Sequence, residues 1–577
     1  MGPVNTNEVL LRGRGEWLHF SNPYRLIAAE NLEDVLPALH EIEQLVQANR
    51  WHAAGFLSYE AAPAFDPALQ TLGKSEFPYL WFGLYPQPRL VRLPKPKGTK
   101  PMLDWRPTIC REAYNSAITK IKDYIADGRT YQVNYTMRLQ TEFPGNAWEF
   151  FLDLVERQNQ YAAYIDTGQF VICSASPELF FRLDGNTILC RPMKGTTRRG
   201  RTTAEDQWQS EWLKQSAKNR AENVMIVDMV RNDLGRVAKV GSVSVPELFA
   251  TERYPTLWQM TSTVSAKTDA SLVEILTALF PCASITGAPK VSTMRLISEL
   301  ECTPRKIYTG AIGYLEPSRR AQFNVAIRTA LIDRESEKAE YGVGGGIVWD
   351  STSADEYTEA LLKAQVLNAQ RPRFSLLETI LWTPQARFFL HDRHVGRLLD
   401  SANYFDFPIT RENLEGYLEE VSSSFQTPQR VRVLLDQDGL FSSESSPFEV
   451  APAKRPLKVG LATRPVDSVN VFLVHKTTQR DMYESARRDH AHLEDVLLYN
   501  ERGELTEFTI GNLVVELDGR LYTPPLACGV LAGTFRAHVF EMGLVAERAI
   551  RVEQLAHCTK LFRINSIRGW QPVELQK

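Results

Sequence analysis

The chain has 577 residues, of which 44% are hydrophobic and 23% charged, and its formal net charge is −3. This length predicts several domains or large subdomains, and the composition is ordinary for a soluble globular protein. The near-neutral charge disfavours a nucleic-acid binder or a polybasic membrane anchor.

The first residues and the cysteines indicate the cellular setting. Residues 1–8 lack a basic segment followed by an apolar run, so no signal peptide is expected. No apolar run is long enough to span a bilayer. The seven cysteines are scattered and contain no Cys-x-x-Cys pair, which is typical of reduced thiols and not of a disulfide framework or a zinc site. We therefore expect a cytoplasmic protein without a membrane or nucleic-acid partner.

Two proline-containing breaks predict three parts. The run Pro94–Gly98 separates an N-terminal part, residues 1–98, from residues 99–370. Arg371–Arg373 follows a helix-like run and contains a proline, which cannot continue a helix, so residues 371–577 form the last part. Strand-like and helix-like runs are mixed in both halves. This mixture predicts α/β or α+β layers, and not a helical bundle or an all-β sandwich.

The clearest predicted hairpin is centred on Asp184-Gly185. Strand-like runs, residues 179–183 and 186–190, flank this pair, and Asp-Gly suits a type I′ turn. In this register Leu183 pairs with Asn186.

The same register places Glu178 opposite Arg191. Lys194 then lies three residues further along, about 10 Å at the usual strand rise. Pro192 interrupts the alternation of the strand, so the pattern leaves open whether Glu178 and Lys194 share a face. An amine in a site for a small acidic substrate can act as a nucleophile.

Helical patterns carry a second set of charged residues. Apolar residues at helical spacing predict a helix over Trp212–Val230 that includes Glu222. Glu356, Glu359 and Lys363 are spaced i, i+3, i+7 and therefore share one helix face. Two carboxylates from one helix and one from another suit Mg²⁺. Spacing alone favours a solvated helix face over a metal site.

Glycine-rich runs offer backbone amides to a ligand. Thr286–Lys290 and Gly342–Gly346 suit the binding of a carboxylate, although glycines in such runs also mark tight turns. Arg328 follows a strand-like run, residues 323–327, and has the geometry for a bidentate contact with a carboxylate.

Taken together, residues 1–370 resemble the chorismate-utilising enzymes, specifically component I of anthranilate synthase and of aminodeoxychorismate synthase. The resemblance implies a layered β-sandwich with helices. The matching runs are Tyr131–Asn134, Ser176–Phe180, Lys194–Thr196, Ala221–Asp228, Arg231–Leu234, Ile285–Lys290, Tyr308–Gly313, Gly344–Val348 and Glu356–Glu359.

The resemblance implies roles for the charged groups. Glu178 corresponds to the general acid that helps the C4 hydroxyl of chorismate to leave. The position of Lys194 is alanine in typical anthranilate synthases. In aminodeoxychorismate synthases it is the lysine that attacks C2, after which ammonia adds at C4. The implied Mg²⁺ ligands are Glu222, Glu356 and Glu359. The implied substrate-binding residues are Gln132, Gly287, Tyr308, Arg328, Gly344, Gly346 and Lys363.

An ammonia source is expected outside this chain. No cysteine here matches the nucleophile of a glutaminase domain. We therefore expect a separate glutamine amidotransferase subunit, or free ammonium, as the nitrogen donor.

The last third carries the parts of a pyridoxal phosphate site. Such a site needs a lysine for the cofactor aldehyde, an acid facing the pyridine nitrogen, and donors for the phosphate. Lys476 is the candidate lysine, Glu507 lies 31 residues later on a strand-like run, and Arg397 is a candidate clamp. Gly533–Arg536 opens a helix-like segment whose N-terminus suits phosphate. Each residue taken alone has an ordinary surface explanation.

As an ordered set, residues 374–577 resemble the fold-type IV pyridoxal phosphate enzymes. These include branched-chain and D-amino acid aminotransferases and 4-amino-4-deoxychorismate lyase. The resemblance implies a fold of two subdomains and a possible homodimer. The implied cofactor-binding residues are Arg397, Lys476, Glu507, Asn512, Thr534, Phe535, Asn565 and Ser566.

The leading hypothesis is a bifunctional enzyme that converts chorismate to 4-aminobenzoate with Mg²⁺ and pyridoxal 5′-phosphate as cofactors. A synthase with a lysine at position 194 makes the compound that this type of lyase consumes. Two alternatives keep the synthase: the second half is an amino-acid aminotransferase, or it is an inactive scaffold that only supports or dimerises the protein.

Overall fold

The computed structural model describes residues 2–73, 75–96, 103–157, 160–364, 367, 373–449 and 455–576. The predicted boundaries at 98/99 and 370/371 lie outside the described residues. The chain forms two compact units. One contains residues 1–198 and 210–370, and the other contains residues 199–209 and 371–577.

The described part of the first unit is built on strands that form two large sheets. In chain order these strands are β1 (Val9–Gly13), β2 (Glu16–Phe20), β3 (Arg25–Ala29), β4 (His52–Leu57), β5 (Leu80–Tyr85), β6 (Arg89–Val91), β7 (Arg106–Pro107), β8 (Gln132–Glu142), β9 (Tyr161–Asp166), β10 (Phe170–Ser176), β11 (Leu179–Asp184), β12 (Thr187–Arg191), β13 (Met193–Arg198), β14 (Ser244–Arg253), β15 (Leu257–Lys267), β16 (Gly287–Ala288), β17 (Ala311–Glu316), β18 (Arg320–Val325), β19 (Thr329–Asp333) and β20 (Lys338–Ile347).

Helices follow the same chain order and cover the sheets. They are α1 (Leu32–Asn49), α2 (Ala62–Phe65), α3 (Arg111–Ala126), α4 (Ala147–Arg157), α5 (Thr203–Gln215), α6 (Ala217–Gly235), α7 (Leu272–Leu279), α8 (Lys290–Leu300) and α9 (Ser353–Ala364). Helix α5 begins in the 199–209 segment, which groups with the second unit.

Sheet order explains where the candidate residues lie. The first sheet runs β16-β8-β20-β19-β10-β9-β1-β2-β6, with β7 beside β8. The second runs β13-β15-β12-β11-β18-β17-β4-β5-β3, with β14 beside β15. Strands β8 and β20, which carry Gln132 and the glycine run, are therefore neighbours in the first sheet. Strands β11 and β13, which flank Glu178 and carry Lys194, belong to the second.

Three hydrophobic clusters define the layers of the first unit. One contains residues from β1 and β10 of the first sheet and from β4 and β17 of the second, so it lies between the sheets. Another joins the first sheet to α3, α4 and α8, and a third joins the second sheet to α1, α6 and α7. Alternation along β1 makes this possible, because Val9 and Leu11 face one cluster and Leu10 the other. The predicted layered β-sandwich with helices is confirmed.

The predicted helix over Trp212–Val230 is wrong in one respect, because α5 and α6 are separate helices. Ser216 lies between them in an extended conformation, and its side chain accepts a hydrogen bond from the backbone N–H of Asn219. A serine hydroxyl that caps a new helix competes with continuation of the old one.

The predicted hairpin exists, but its register is shifted. Asp184 pairs with Thr187 and Leu183 with Ile188, so the turn residues are Gly185 and Asn186. Leu179, and not Glu178, lies opposite Arg191 after a bulge in β11. Gly185 takes the positive φ of 58° that this turn requires.

The described part of the second unit contains two smaller sheets. Its strands are β21 (Leu376–Thr383), β22 (Arg387–Phe388), β23 (Gln429–Leu435), β24 (Phe441–Pro447), β25 (Leu457–Leu461), β26 (Asp495–Tyr499), β27 (Leu505–Phe508), β28 (Gly511–Leu517), β29 (Arg520–Thr523), β30 (Ala546–Glu547), β31 (Lys560–Asn565) and β32 (Gly569–Leu575). Its helices are α10 (His391–Phe405), α11 (Arg411–Ser422), α12 (Val471–Val474), α13 (Asp481–Asp489) and α14 (Thr534–Glu541).

These sheets form the two predicted subdomains. The first has the order β22-β21-β23-β24 and packs against α10 and α11 around a core that includes Trp382 and Val431. The second has the order β27-β26-β25-β32-β31-β28-β29-β30, and pairing of β27 with β28 closes six of its strands into a ring. The ring removes free edges and positions Glu507 on a buried strand.

Two expectations about the whole chain can be compared with the structure. None of the helices in the described ranges combines the length and apolarity that a bilayer-spanning segment needs. All seven cysteines are free thiols, as the scattered spacing predicted.

Candidate active sites

Lys194 lies beside the glycine run of β20. Gly346 pairs with Asn134 in the ladder between β20 and β8. A methyl group built on Gly346 would lie 2.4 Å from Gln132 Nε2 and 3.3 Å from Lys194 Nζ. The amide of Gln132 and the amine of Lys194 therefore reach the same point above Gly346. The structure brings these three predicted residues together.

Glu178 is a buried carboxyl group that interacts with Lys194. It is 3% exposed, and the Ser284 hydroxyl donates a hydrogen bond of 2.7 Å to its Oε1. Burial raises the pKa of Glu178 to about 7, while Ser284, Lys194 and the backbone of Met193 act in the opposite direction. Strand pairing alone left the relation of Glu178 to Lys194 open; the fold places the two groups in one electrostatic environment.

The amine of Lys194 is partly buried among charged groups. Burial lowers its pKa, Lys363 adds to this effect, and the carboxylates of Glu178, Glu222 and Glu359 oppose it. A lowered pKa increases the fraction of neutral amine, which is the nucleophilic form. The backbone carbonyl oxygen of Lys194 accepts a 3.5 Å hydrogen bond from Asn223 Nδ2 on α6.

Helix α9 carries Glu356, Glu359 and Lys363 on one face, as predicted from their spacing. Lys363 Nζ donates to the carbonyl oxygen of Gly344 at 2.8 Å and pairs with Glu359 Oε1 at 2.9 Å. Burial raises the pKa of Glu356, which accepts a 2.6 Å hydrogen bond from Ser351. Burial also acts to raise the pKa of Glu359, but Lys363 dominates and the pKa is lowered.

The three predicted Mg²⁺ ligands are not preassembled. Their carboxylate oxygens are the donors that Mg²⁺ prefers. Within the described ranges, however, no group of three or more His, Cys, Asp or Glu side chains is arranged to hold a metal ion. Glu359 is engaged by Lys363 and Glu356 by Ser351. The ligand set of Glu222, Glu356 and Glu359 remains a prediction.

Gly287 lies against the backbone of Gln132. It pairs with Val133 and has a φ of 148°, and a methyl group there would lie 2.0 Å from the carbonyl oxygen of Gln132. Only glycine allows this approach, so β16 closes against the start of β8.

Tyr308 and Arg328, two of the predicted substrate-binding residues, both belong to the first unit. A methyl group on Gly342 would lie 2.1 Å from the ring of Tyr308, so this glycine gives the ring its space. Arg328 has a φ of 50°. Burial lowers its pKa, while Tyr341 and Tyr254 act to raise it.

In the second unit, Lys476 is held by its backbone against β21. Its carbonyl oxygen accepts a 2.9 Å hydrogen bond from the N–H of Leu377. Burial lowers the pKa of Lys476 to about 8, and Arg397 adds to this effect, while Glu378 and Glu507 oppose it. A larger fraction of this amine is therefore neutral near pH 7 than in an exposed lysine.

Glu507 is a buried acid on β27. It is 3% exposed, and it accepts hydrogen bonds from Tyr483 (2.7 Å), Asn512 (3.0 Å) and the N–H of Leu531 (3.3 Å). Burial raises the pKa of Glu507 to about 7. The predicted pair Glu507 and Asn512 is thus in direct contact.

Arg397 belongs to a buried charge network. Its Nε and Nη2 donate to Glu378 at 2.8 and 2.7 Å, and Nη1 donates to the carbonyl of Ala532 at 3.1 Å. His394 Nδ1 lies 2.6 Å from Glu378, and its Nε2 lies 3.2 Å from the Thr534 hydroxyl. Burial opposes ionisation of Glu378, but Arg397 and His394 hold its pKa at about 2.

The start of α14 offers backbone donors. Gly533 is its N-cap, and no side chain satisfies the first N–H groups. A methyl group on Gly533 would lie 1.8 Å from Asn512 Oδ1, so only glycine fits at this position. Uncapped N–H groups at a helix N-terminus favour an anion.

These features fit pyridoxal phosphate. Lys476 would supply the amine, Glu507 the acid, and the amides of Thr534 and Phe535 the phosphate donors. Asn565 is less clearly placed: its Oδ1 accepts from the N–H of Ile567 and of Arg568. The neighbouring Ser566 is 9% exposed. The cofactor contacts of these two residues remain a prediction.

Four supporting residues were missed from the sequence. Ser284 donates a hydrogen bond to Glu178, and Tyr483 donates one to Glu507. Glu378 accepts hydrogen bonds from Arg397. His394 contacts both Glu378 and Thr534. Glu378 had a usable signal, since it is a lone charge in the apolar strand run 376–382. His394 lies three residues before Arg397, one helical turn away. Ser284 and Tyr483 gave no such signal.

Comparisons with known proteins match two families to successive parts of the chain. The family described as chorismate binding enzyme matches residues 87–369, and the family described as amino-transferase class IV matches residues 375–575. Aminodeoxychorismate synthase component 1 of Escherichia coli (strain K12) is 40% identical over 263 residues, which is 45% of this chain and 58% of that protein. The protein of the same name from Bacillus subtilis (strain 168) is 40% identical over 256 residues, 44% of this chain and 54% of that protein.

This chain therefore spans a little over half the length of these two relatives. Among solved structures, anthranilate synthase component I from Streptococcus pneumoniae TIGR4 superposes with a TM-score of 0.54 at 24% identity. The match covers 64% of this chain and 94% of that chain, and at this identity it shows the fold alone. This chain joins a member of the chorismate binding enzyme family to a member of the amino-transferase class IV family.

Proposed function

We propose that this chain converts chorismate and ammonia to 4-aminobenzoate, as an aminodeoxychorismate synthase fused to a 4-amino-4-deoxychorismate lyase. One observation carries the proposal: an amine with a lowered pKa, Lys194, lies beside Gln132 and Gly346 and interacts with the buried acid Glu178. The relatives named aminodeoxychorismate synthase component 1 support the first activity.

In the first reaction, neutral Lys194 attacks C2 of chorismate. Both ring double bonds shift, from C1=C2 and C5=C6 to C1=C6 and C4=C5, and the bond between C4 and the hydroxyl oxygen breaks. Glu178, which keeps its proton up to near-neutral pH because its pKa is about 7, gives this proton to the leaving hydroxyl, which departs as water. Ammonia then adds at C4, both double bonds return to their first positions, and the bond between C2 and Nζ breaks. The net change replaces a hydroxyl group by an amino group and regenerates Lys194.

Gln132 supports amination over hydration. In the related enzymes that add water, a lysine base stands at this position. Here the side chain is an amide, which cannot activate water as a base. It is 2% exposed, so it also limits access of water to the space above Gly346. The substrate carboxylates are assigned to the glycine-rich backbone with Tyr308, Arg328 and Lys363.

Magnesium is proposed as a requirement of the synthase, with Glu222, Glu356 and Glu359 as ligands. Because Lys363 engages Glu359 at 2.9 Å, metal binding requires that this ion pair open. Replacing Glu222 or Glu359 with alanine should raise the Mg²⁺ concentration needed for half-maximal synthase rate. Activity of both variants measured against Mg²⁺ concentration tests this, and an unchanged requirement would contradict the assignment.

In the second unit, pyridoxal phosphate would be held by Lys476, Glu507, Arg397, Asn512 and the start of α14. When bound, it supplies an electron sink for bond cleavage next to the substrate nitrogen. Lys476, with a pKa of about 8, has a neutral fraction that can take the proton from C4 of the ring. Glu507 would hold or release the proton shared with the pyridine nitrogen. Once the C4 proton is lost, the bond between C3 and the ether oxygen would break, and the enolpyruvate released would take up a proton to become pyruvate. The ring that remains would be aromatic.

The partners of this enzyme follow from its chemistry. The synthase consumes ammonia, so a separate glutamine amidotransferase subunit is proposed as the donor, with free ammonium as a substitute. A homodimer formed through the second unit stays a prediction.

Product analysis tests the proposal. The purified chain is incubated with chorismate, ammonium, Mg²⁺ and pyridoxal phosphate, and the aromatic product and pyruvate are identified by mass spectrometry and NMR. We expect 4-aminobenzoate and pyruvate in equal amounts. An amino group ortho to the carboxylate would contradict the synthase assignment. Accumulation of 4-amino-4-deoxychorismate without pyruvate would contradict the lyase assignment and favour an aminotransferase or a scaffold.

A further inference from the structure

Residues 199–209 lie inside the chorismate binding enzyme match, yet they group with the second unit. We call them the 199–209 segment. Nothing in the family match accounts for this placement.

The start of the segment is a specified turn. The Asp206 carboxylate accepts hydrogen bonds from Arg199 Nε at 2.7 Å and from the N–H of Gly200 at 2.9 Å. The side chains of Arg199 and Asp206 are only 7% and 6% exposed. A methyl group on Gly200 would lie 2.1 Å from the backbone nitrogen of Asp206. A buried ion pair and an obligatory glycine therefore fix this backbone.

The turn binds the end of α10. The Tyr404 hydroxyl donates to the carbonyl oxygen of Gly200 at 2.7 Å. Arg199 returns a hydrogen bond of 3.2 Å to the carbonyl oxygen of Tyr404, and its guanidinium lies 4.4 Å from the centre of the tyrosine ring. These contacts fix the turn so that the carbonyl oxygen of Arg201, the residue after Gly200, faces His475.

His475 directly precedes Lys476 and is 4% exposed. Its Nε2 lies 2.9 Å from the carbonyl oxygen of Arg201. A carbonyl oxygen can only accept, so Nε2 carries the hydrogen. Nδ1, 2.9 Å from the Ser401 hydroxyl, therefore accepts. The ring is neutral, because burial lowers the pKa of His475 to about 4.

The imidazole is also packed on both sides. Its ring centre lies 4.5 Å from that of Tyr404 and 4.9 Å from that of Phe405. One tautomer and one ring orientation are thus defined by Arg201, Ser401 and two aromatic rings. His475 is the residue directly before Lys476, so a fixed His475 also restrains the backbone at Lys476.

We propose that the 199–209 segment is a positioning element of the second active site: the carbonyl oxygen of Arg201 holds His475 and thereby sets the direction of the Lys476 side chain. The inference rests on the proposed function in one respect, that Lys476 binds the cofactor aldehyde. It adds a contribution from a segment that the family boundaries assign elsewhere.

Four substitutions in the full-length chain, made at Tyr404, Tyr417 and His475, test this role. Tyr404→Phe removes the hydrogen bond to Gly200 and keeps the ring. Its matched control is Tyr417→Phe in the same unit, which removes a 3.0 Å hydrogen bond from its hydroxyl to Ser443. At the histidine, His475→Phe removes both hydrogen bonds, whereas His475→Gln keeps a donor at the position of Nε2.

The readouts are the dissociation constant of pyridoxal phosphate, from absorbance titration of the apo protein, and the fraction attached to Lys476 after borohydride reduction and peptide mass spectrometry. Tyr404→Phe should weaken cofactor binding about two- to tenfold, the effect of one buried hydrogen bond, and Tyr417→Phe should not. His475→Phe should weaken it more than His475→Gln. The rate of 4-amino-4-deoxychorismate formation should not change in any of these variants.

The outcomes separate the two proposals. If the wild-type chain forms the adduct at Lys476 and all four variants bind pyridoxal phosphate as it does, the positioning role is wrong. Lower thermal stability with unchanged cofactor affinity also overturns it, since the segment then only supports the fold. If the wild-type chain itself forms no adduct at Lys476, the proposed lyase function fails, and this role fails with it.

Discussion

At the residue scale, removal from water sets the chemistry of the candidate catalytic groups. Burial disfavours the charged form, so it raises the pKa of a carboxyl group and lowers that of an amine. Glu178 and Glu507 reach about 7 and Lys476 about 8 by this mechanism. Each group can therefore gain or lose a proton near neutral pH, as acid–base catalysis requires.

Replacing Lys194 with alanine removes the nucleophile of the first reaction. We expect formation of 4-amino-4-deoxychorismate to fall by at least about 10³-fold, as when other covalent nucleophiles are removed, while the lyase rate on added 4-amino-4-deoxychorismate stays unchanged. The exposed Lys338, replaced with alanine, is the control. Retained synthase turnover in Lys194→Ala would exclude the covalent role.

Loss of the Glu178 proton should limit the synthase rate at alkaline pH. Glu178 has a pKa of about 7, so it is protonated below this pH and ionised above it, and only the protonated form can act as an acid. We expect kcat/KM for chorismate to fall along this alkaline limb. In Glu178→Gln the limb should disappear, and the rate should drop about 10²- to 10⁴-fold.

Glu60 provides the matched control for this experiment. Burial also raises its pKa to about 7, but it accepts the backbone N–H groups of Arg305 (2.7 Å) and Lys306 (2.8 Å). Glu60→Gln should keep the alkaline limb. Loss of the limb in Glu60→Gln, or its persistence in Glu178→Gln, would contradict the assignment of the acid.

At the element scale, pairing of β8 with β20 creates the floor of the first site. Glycines at 344 and 346 pair with Thr136 and Asn134 across the ladder. The missing side chain at Gly346 leaves room for Gln132 and Lys194. Helix α9 then places Lys363 on the carbonyl oxygen of Gly344. The site is therefore made by strands and a helix that lie far apart in sequence.

Replacing Gly346 with alanine should damage the synthase without unfolding the unit. The added methyl group would lie 2.4 Å from Gln132 Nε2 and 3.3 Å from Lys194 Nζ, so both flexible ends must move. A displacement of about 1 Å can cost on the order of 100-fold in rate. Gly235→Ala, where nothing lies within 4 Å, is the control. Thermal unfolding and synthase kinetics measure the two effects, and wild-type kinetics in Gly346→Ala would refute this view of the site.

At the scale of the whole molecule, each unit holds its own candidate catalytic lysine. Lys194 belongs to the first unit and Lys476 to the second. Each reaction should therefore survive loss of the other lysine.

Mixing two inactive variants tests this independence. Lys194→Ala and Lys476→Ala should each fail to make 4-aminobenzoate from chorismate and ammonium. A mixture should restore production, because the intermediate made by the second variant is consumed by the first. Chromatography of the products over time measures the recovery. No recovery would mean that the intermediate does not pass between molecules. Lys458→Ala, an exposed lysine of the second unit, should stay active alone.

Local patterns predicted much of the fold. Asp518-Gly519 is a second Asp-Gly pair, typical of a hairpin turn, and it forms one, with Leu517 paired to Arg520. The predicted helix start at Gly533–Arg536 is also found, since α14 begins at Thr534. Helix α9 carries its three charged residues on one face because that spacing is a property of the helix itself. Errors arose where contacts with other residues determine the local structure. One is at Ser216, whose cap divides one predicted helix into α5 and α6. The other is at Gly185, where the hairpin register shifted.

The amino-acid sequence by itself determined the two families, the reactive lysines and the order of the motifs, because these depend on residue type and spacing along the chain. Only the tertiary structure decided which groups meet. It surrounded Glu178 and Lys194 with protein and shifted their pKa values, paired Glu359 with Lys363, and placed the 199–209 segment in the second unit. Burial and long-range contact depend on how distant segments pack, and no local pattern encodes that packing.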